Sequence, residues 1–159
     1  MPATPHRLTA RLRLELPRDR VFAFFADATN LERITPPELG FRILNPAPVI
    51  IGQGSLLDYR LQLHGIPFHW QSLISTWQPP DCFVDEQVRG PYHSWVHRHR
   101  FLDDGSGTVI EDCVDYRLPL GPLGRLIQPL VRLQLDRIFA YRQQAVIACL
   151  AEHPDIGTG

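Results

Sequence analysis

A chain of 159 residues can bury one substantial core and is too short for two ordinary domains. Its hydrophobic fraction of 44% and charged fraction of 21% are those of a soluble globular protein, and no apolar run reaches the length of a membrane span. A formal net charge of -1 argues against nucleic acid or an anionic membrane as the main partner.

Arg7 to Leu16 alternates, with Leu8, Ala10, Leu12, Leu14 and Leu16 on one side and Arg7, Thr9, Arg11, Arg13 and Glu15 on the other. That period predicts a half-buried strand. Pro17-Arg18-Asp19 starts a helix that carries Val21, Phe22 and Phe25 on one side. A second helical turn covers Thr29 to Ile34 and stops at Thr35-Pro36-Pro37, because the residue before proline is pushed out of the helical region.

Strand-like segments follow: Phe41 to Leu44, Ser55 to His64, Phe68 to Trp77, Phe83 to Arg89, Ser94 to Asp103 and Thr108 to Leu118. From Ser55 onward most are joined by short Gly-, Pro- and Asp-rich turns, which imply an antiparallel meander. Phe68, Trp70 and Ile74 oppose Leu73 and Trp77 in phase, so a bulge is expected in that strand. The last segment, Pro129 to Glu152, carries Leu130, Leu135, Ile138, Phe139, Ala145, Val146, Cys149 and Leu150 at helical spacing. Pro129 suits a helix start, which leaves Pro122 to Gln128 as a separate turn.

The stretch Phe83 to Phe101 carries the functional signal. Phe83, Asp85 and Gln87 alternate before the Gly90-Pro91-Tyr92 turn, and Trp95, His97, His99 and Phe101 alternate after it. Each set projects from one sheet face. Glu86, Arg98 and Arg100 occupy the opposite face, and free charges belong in water, so the aromatic and histidine face is expected to point inward. Two histidines, an aspartate and a glutamine then sit in a sheet-lined interior, which suits an internal pocket better than a plain core.

The element order is one strand, two short helices, about six antiparallel strands and a long helix. Together with Leu31-Glu32-x-Ile34-Thr35-Pro36-Pro37, Phe41-Arg42-Ile43, Asp58-Tyr59-Arg60-Leu61, Trp77-x-Pro79-Pro80, Asp112-x-Val114-x-Tyr116-x-Leu118-Pro119 and Ile138-Phe139-x-Tyr141-Arg142, it resembles bacterial ligand-binding SRPBCC proteins. These are START-like and birch-pollen-allergen-like, and include cyclase/dehydrase-like members. The resemblance runs from about Leu8 to Leu150. It implies an α+β helix-grip fold, with a curved antiparallel sheet of six to seven strands wrapped around a C-terminal helix. It also implies one domain over residues 7–152, flexible termini at 1–6 and 153–159, and an apolar cavity between helix and sheet.

If the strand Thr108 to Leu118 pairs with Ser94 to Asp103, Asp112 comes near His97 or His99, stays ionised and raises the histidine pKa. Asp85, Gln87, His97, His99 and Asp112 form the expected polar cluster, read either as a ligand anchor or as a satisfied buried network. His97, His99 and Asp112 are the candidate catalytic residues. A His-x-His pair would need Asp85 or Asp112 as a third metal ligand, and with no wider motif no metal is expected. Arg142, on the apolar side of the last helix, either binds a ligand carboxylate, pairs with an acidic sheet residue or reaches out to water. Tyr59, Trp70, Trp95 and Tyr116 either stack on a flat ligand or fill volume. Glu86, Arg98, Arg100, Glu111, Asp115 and Arg117 are read as cross-strand ion pairs on the wet face.

All sixteen basic side chains are arginine, which removes lysine Schiff-base chemistry. Cys82, Cys113 and Cys149 form neither a disulfide framework nor a metal motif, and Met1 to Arg7 lacks a secretory signal. A reduced cytoplasmic protein is expected. With no phosphate loop and no nucleophile elbow, no cofactor is expected. The expected partner is a hydrophobic small molecule, lipid-like or polycyclic, held in the cavity. A polyketide cyclase/dehydratase-type enzyme using His97 and His99 as acid and base is the second reading, and a regulatory interaction module the third. Oligomeric state and ligand identity are left open.

Overall fold

A computed structural model describes residues 4–152. The termini expected to be flexible lie outside this range at residues 1–3 and 153–159, whereas His6 already belongs to the first strand. The elements run β1 (His6–Leu14), α1 (Arg18–Ala26), α2 (Asn30–Arg33), a 3-10 turn at Pro37–Leu39, β2 (Arg42–Ile43), β3 (Leu56–Leu63), β4 (Ile66–Gln78), β5 (Cys82–Arg89), β6 (Ser94–Asp103), β7 (Thr108–Arg117) and α3 (Pro122–Ala151). No helix among the described residues is long and apolar enough to cross a membrane.

The seven strands form one antiparallel sheet in the order β1-β7-β6-β5-β4-β3-β2. The meander from β3 to β7 follows chain order, and β1 closes against β7 with Leu8 opposite Val114 and Leu14 opposite Thr108. The bulge expected in β4 is present, as register shifts at Gln71/Ser72 and Ile74/Thr76. The second shift leaves Ser75 as an extra residue in β4 and resets its inward face: Trp70, Ser72 and Ile74 are buried before it, and Trp77 meets Phe22 and Phe83 after it.

Pro17 ends β1 and starts α1, its carbonyl accepting from the backbone N–H groups of Arg20 and Val21. Val21, Phe22 and Phe25 bury the inner side of α1. Phe22 meets Trp77, Phe83 and Phe101 there, with ring centroids 5.1 to 6.0 Å apart. This first cluster also takes Val146 and Leu150 from α3, while a second is built on Trp70, Trp95, Tyr116, Leu135 and Phe139.

α3 differs from expectation at its start. It is one helix from Pro122, with Pro129 inside it. Pro129 cannot donate to the carbonyl of Arg125, a defect that normally costs about 3 kcal/mol inside a helix. Both residues are exposed, so water can satisfy the freed carbonyl. Leu130 is correspondingly outside the core, at 53% exposure, beside exposed Leu126 and Leu133. The buried side of α3 begins at Leu135 apart from Gly124, which sits against the carbonyl oxygen of Pro119.

On the outer face Arg98 pairs with Asp115 at 3.2 Å and Arg100 with Glu111 at 3.5 Å, and Arg7 adds a two-pronged bond to Asp115. Glu86 and Arg117, expected in the same ladder, make no ion pair among the described residues. At the far end of β7 the Asp104 carboxylate accepts from the Gly107 N–H at 2.8 Å and meets Arg13 of β1. A Cβ at Gly107 would overlap the Leu14 carbonyl oxygen. Gly107→Ala is expected to cost about 1–3 kcal/mol in urea unfolding, the usual range for forced overpacking. A loss below about 0.5 kcal/mol would mean that the β1 end swings aside freely.

Candidate functional site

The inner sheet face does not pack solidly on α3. A cavity of about 160 Å³ lies between them, close in size to an engineered protein cavity of about 150 Å³ that binds benzene. Leu57, Leu61, Tyr59, Trp70 and Ile74 line it from β3 and β4, and Leu135, Ile138, Phe139 and Arg142 from α3. Leu39 and Ile138 also line a surface groove between α3 and the β3–β4 turn, so cavity and groove share these two walls.

Antiparallel pairing explains the polar wall. Asp85 lies opposite His97, and Asp112 opposite His99. His97 is 4% exposed and His99 2%, and their rings stack at 3.7 Å with a 32° tilt. On one side of the stack Asp85 Oδ2 stands 2.8 Å from His99 Nε2 and 3.8 Å from His97 Nδ1. On the other, Asp112 Oδ1 stands 2.8 Å from His97 Nε2 and 3.0 Å from His99 Nδ1. The His99 Nδ1 contact is badly aligned for a hydrogen bond, so it acts chiefly through charge.

Burial favours the neutral form of each of these groups, and the contacts decide the outcome. Burial pushes Asp112 and Asp85 up, but the histidine N–H groups hold Asp112 well below the usual carboxylate range and Asp85 below it too. Burial pushes His99 down, and the two flanking carboxylates more than reverse this. His97 is lowered, by burial first and then by the neighbouring positive His99. These directions favour two carboxylates, with the proton they share held more readily by His99 than by His97. If Nε2–H of neutral His97 donates to Asp112, its Nδ1 is left as a proton acceptor on the Asp85 side.

Asp85, His97 and His99 each offer a metal-ligand atom, all within 4.8 Å of one another.

Among the residues named from sequence, Tyr59, Trp70, Asp85, Trp95, His97, His99 and Arg142 line the cavity together. Asp112 does not line it and stands behind the histidines. Gln87 is also elsewhere. The β5–β6 ladder ends at Glu86 opposite Val96, and the Gln87 amide beyond it brackets Tyr92, donating to its carbonyl at 2.8 Å and accepting its N–H at 3.2 Å. Tyr116 is fully buried against His6, Tyr92 and Trp95, in the core and off the cavity.

Sequence reasoning passed over Ser72, Phe41 and Tyr92, all on the cavity wall. Ser72 Oγ accepts from Trp70 Nε1 at 3.1 Å and lies 3.3 Å from the Tyr59 hydroxyl. Burial, with the charge of Asp85 adding to it, raises the Tyr59 pKa and keeps the phenol neutral. Ser72 shares its face with buried Trp70 and Ile74, so strand alternation alone could have placed it on this wall. Arg142 forms no ion pair with an acidic sheet residue among the described residues, and it does not reach out to water with both nitrogens. Its Nη2 is sealed from solvent without a partner, and its guanidinium carbon sits 5.6 Å from the Phe25 ring centroid and 5.9 Å from that of Phe139.

No protein-family model and no curated protein sequence matches this chain. Solved structures share its fold. The Zhui aromatase/cyclase from Streptomyces sp. R1128 matches with a TM-score of 0.77 at 15% identity, over 98% of this chain and 99% of that one. Ginseng major latex-like protein 151 from Panax ginseng matches at 0.64 and 13% identity, over 96% and 100%. A nucleoside-diphosphate sugar epimerase from Corynebacterium glutamicum matches at 0.65 and 24% identity, over 91% of this chain but 29% of that longer one. One long helix gripped by a seven-stranded antiparallel sheet, with these neighbours, is the SRPBCC-type helix-grip fold, and this chain has it.

Proposed function

We propose that this protein binds a hydrophobic small molecule in the cavity between α3 and the sheet. The observation that carries the reading is the composition of the cavity wall: mostly aliphatic and aromatic, with Asp85, His97, His99 and Arg142 converging on one part of it. A core selected only for stability gains little from four buried ionisable groups, whereas a receptacle uses them to orient the polar end of its ligand. The latex-like neighbour and the aromatase/cyclase neighbour lend support at the level of fold. Native mass spectrometry of gently purified protein tests it. A stoichiometric, extractable hydrophobic adduct is expected, and neither an adduct nor uptake of any added hydrophobe would overturn it.

One observation favours a second reading, cyclase/dehydratase-type catalysis. His97, whose burial favours the neutral ring and which is backed by the Asp112 carboxylate at 2.8 Å, has the arrangement of a general base held in one tautomer. It would take a proton from an acidic C–H next to a ligand carbonyl. Wild-type protein is then expected to speed deuterium exchange at the methyl group of an aryl methyl ketone, and His97→Gln to lose that acceleration. Exchange no faster than buffer would remove the enzyme reading and leave the binding one intact.

A further inference from the structure

We infer that the ligand is an acid: a hydrophobic body of about one aromatic ring with a carboxylate that pairs with Arg142. This rests on the binding reading above and adds the chemical class of the ligand. The polar groups of the cavity wall fall into two kinds. The Trp70 indole and the Tyr59 hydroxyl are both satisfied at Ser72, and the Asp85 carboxylate is neutralised at close range by His99. Arg142 is left over. No carboxylate among the described residues lies within ion-pair distance of it, its Nη2 is buried without an acceptor, the faces of Phe25 and Phe139 lie against it, and Asp85 acts on its charge only from beyond ion-pair distance.

A sealed guanidinium donor without an acceptor is costly in a resting protein. An anionic oxygen seated on Nη2 would satisfy it with a charge-assisted hydrogen bond, the strongest class a side chain forms. The fold also sets the direction of entry. Ile138 lies one helical turn before Arg142 on the same side of α3, and it is a wall shared with the surface groove. A ligand passing between Ile138 and Leu39 therefore brings its carboxylate inward to Arg142. Its apolar body then lies against Phe41, Leu61 and Leu63. The space of about 160 Å³ holds one ring, so a longer tail would run back toward the groove.

Calorimetric titration of two matched series tests the inference: hydrocinnamate against hydrocinnamyl alcohol and methyl hydrocinnamate, and decanoate against decanol and methyl decanoate. In wild type each acid is expected to bind roughly tenfold to a hundredfold more tightly than its alcohol and ester. Arg142→Gln and Arg142→Leu, checked for folding by circular dichroism, should abolish the difference by weakening only the acids. Arg142→Lys should keep part of it. Acids that bind wild type no better than their esters, or a preference that survives in Arg142→Gln, would overturn the inference while the receptacle stands. If no member of either series binds, the inference falls, and the receptacle falls with it only if the adduct test is negative as well. The wild-type comparison is informative even if a variant fails to fold.

Discussion

Asp112→Ala is expected to lower the unfolding free energy by about 3–5 kcal/mol, the range seen when one partner of a buried ion pair is removed. The side chain is only 12% exposed and serves two imidazoles at once, at 2.8 Å and 3.0 Å. Deleting it leaves His97 Nε2 without its acceptor and leaves buried His99 with one counter-charge where it had two. Asp112→Asn keeps an acceptor oxygen and loses the charge, so a smaller loss of about 1–2 kcal/mol is expected.

The pH dependence follows from the directions of the shifts. The folded pKa of Asp112 is depressed, so its contribution is complete above the unfolded value of about 3.9 and disappears as pH falls through the folded value. The folded pKa of His99 is raised, so its contribution is complete below about 6.5 and disappears as pH rises through the folded value. The difference between wild type and Asp112→Ala should therefore be widest between about pH 4 and 6.5 and should narrow on both sides. His97 has the opposite sign to His99. Its lowered pKa withdraws stability as pH falls, so the wild-type curve itself is flatter near neutrality than His99 alone would make it. Urea unfolding at three pH values checks this, and a gap that is small or constant with pH would show that the network is only packing.

The strands were legible because a period of two leaves little freedom. Once Ser94 to Asp103 and Thr108 to Leu118 are neighbours, the inward rows of both strands are set, and Asp112 lands opposite His99. Burial of Phe83, Trp95, His97, His99 and Phe101 follows from the same alternation. Where the period breaks, residues are misplaced. The β4 bulge at Ser75 changes which row faces inward before Trp77, and the end of the β5–β6 ladder turned Gln87 toward the Tyr92 backbone. Tyr116 shares a row with Asp112, but alternation assigns a face and not the end of the strand where packing closes solid. The first turns of α3 failed for a different reason. Helix propensity penalises Pro129 whatever its surroundings, and only the fold shows that the unpaired carbonyl faces water. Arg142 was undecidable from sequence because its role depends on which acids lie within reach, a property of side chains from distant elements.

Phe101→Ala should be about as destabilising as Asp112→Ala, by roughly 3–5 kcal/mol, through packing alone. Phe101 is 0% exposed, and its ring centroid lies 5.1 Å from that of Phe22, 5.4 Å from Phe25 and 6.0 Å from Phe83. With His99, which meets Phe25 at 6.4 Å, it is how β6 holds α1 against the sheet. Deleting the ring forfeits its burial and leaves a hole that surrounding backbone in a helix and a strand cannot close. The consequence extends to the ligand site, because Phe25 touches Phe101 on one side and lines the cavity, beneath Arg142, on the other. A Phe25 ring free to drop into the hole would enlarge the cavity at its closed end. Phe101→Ala is therefore expected to bind larger hydrophobes than wild type does, measured below its own melting temperature, while Phe101→Leu restores most of the stability and the original size limit. If Phe101→Ala loses less than about 1.5 kcal/mol, or its size limit is unchanged, α1 is not the part that closes this end of the receptacle.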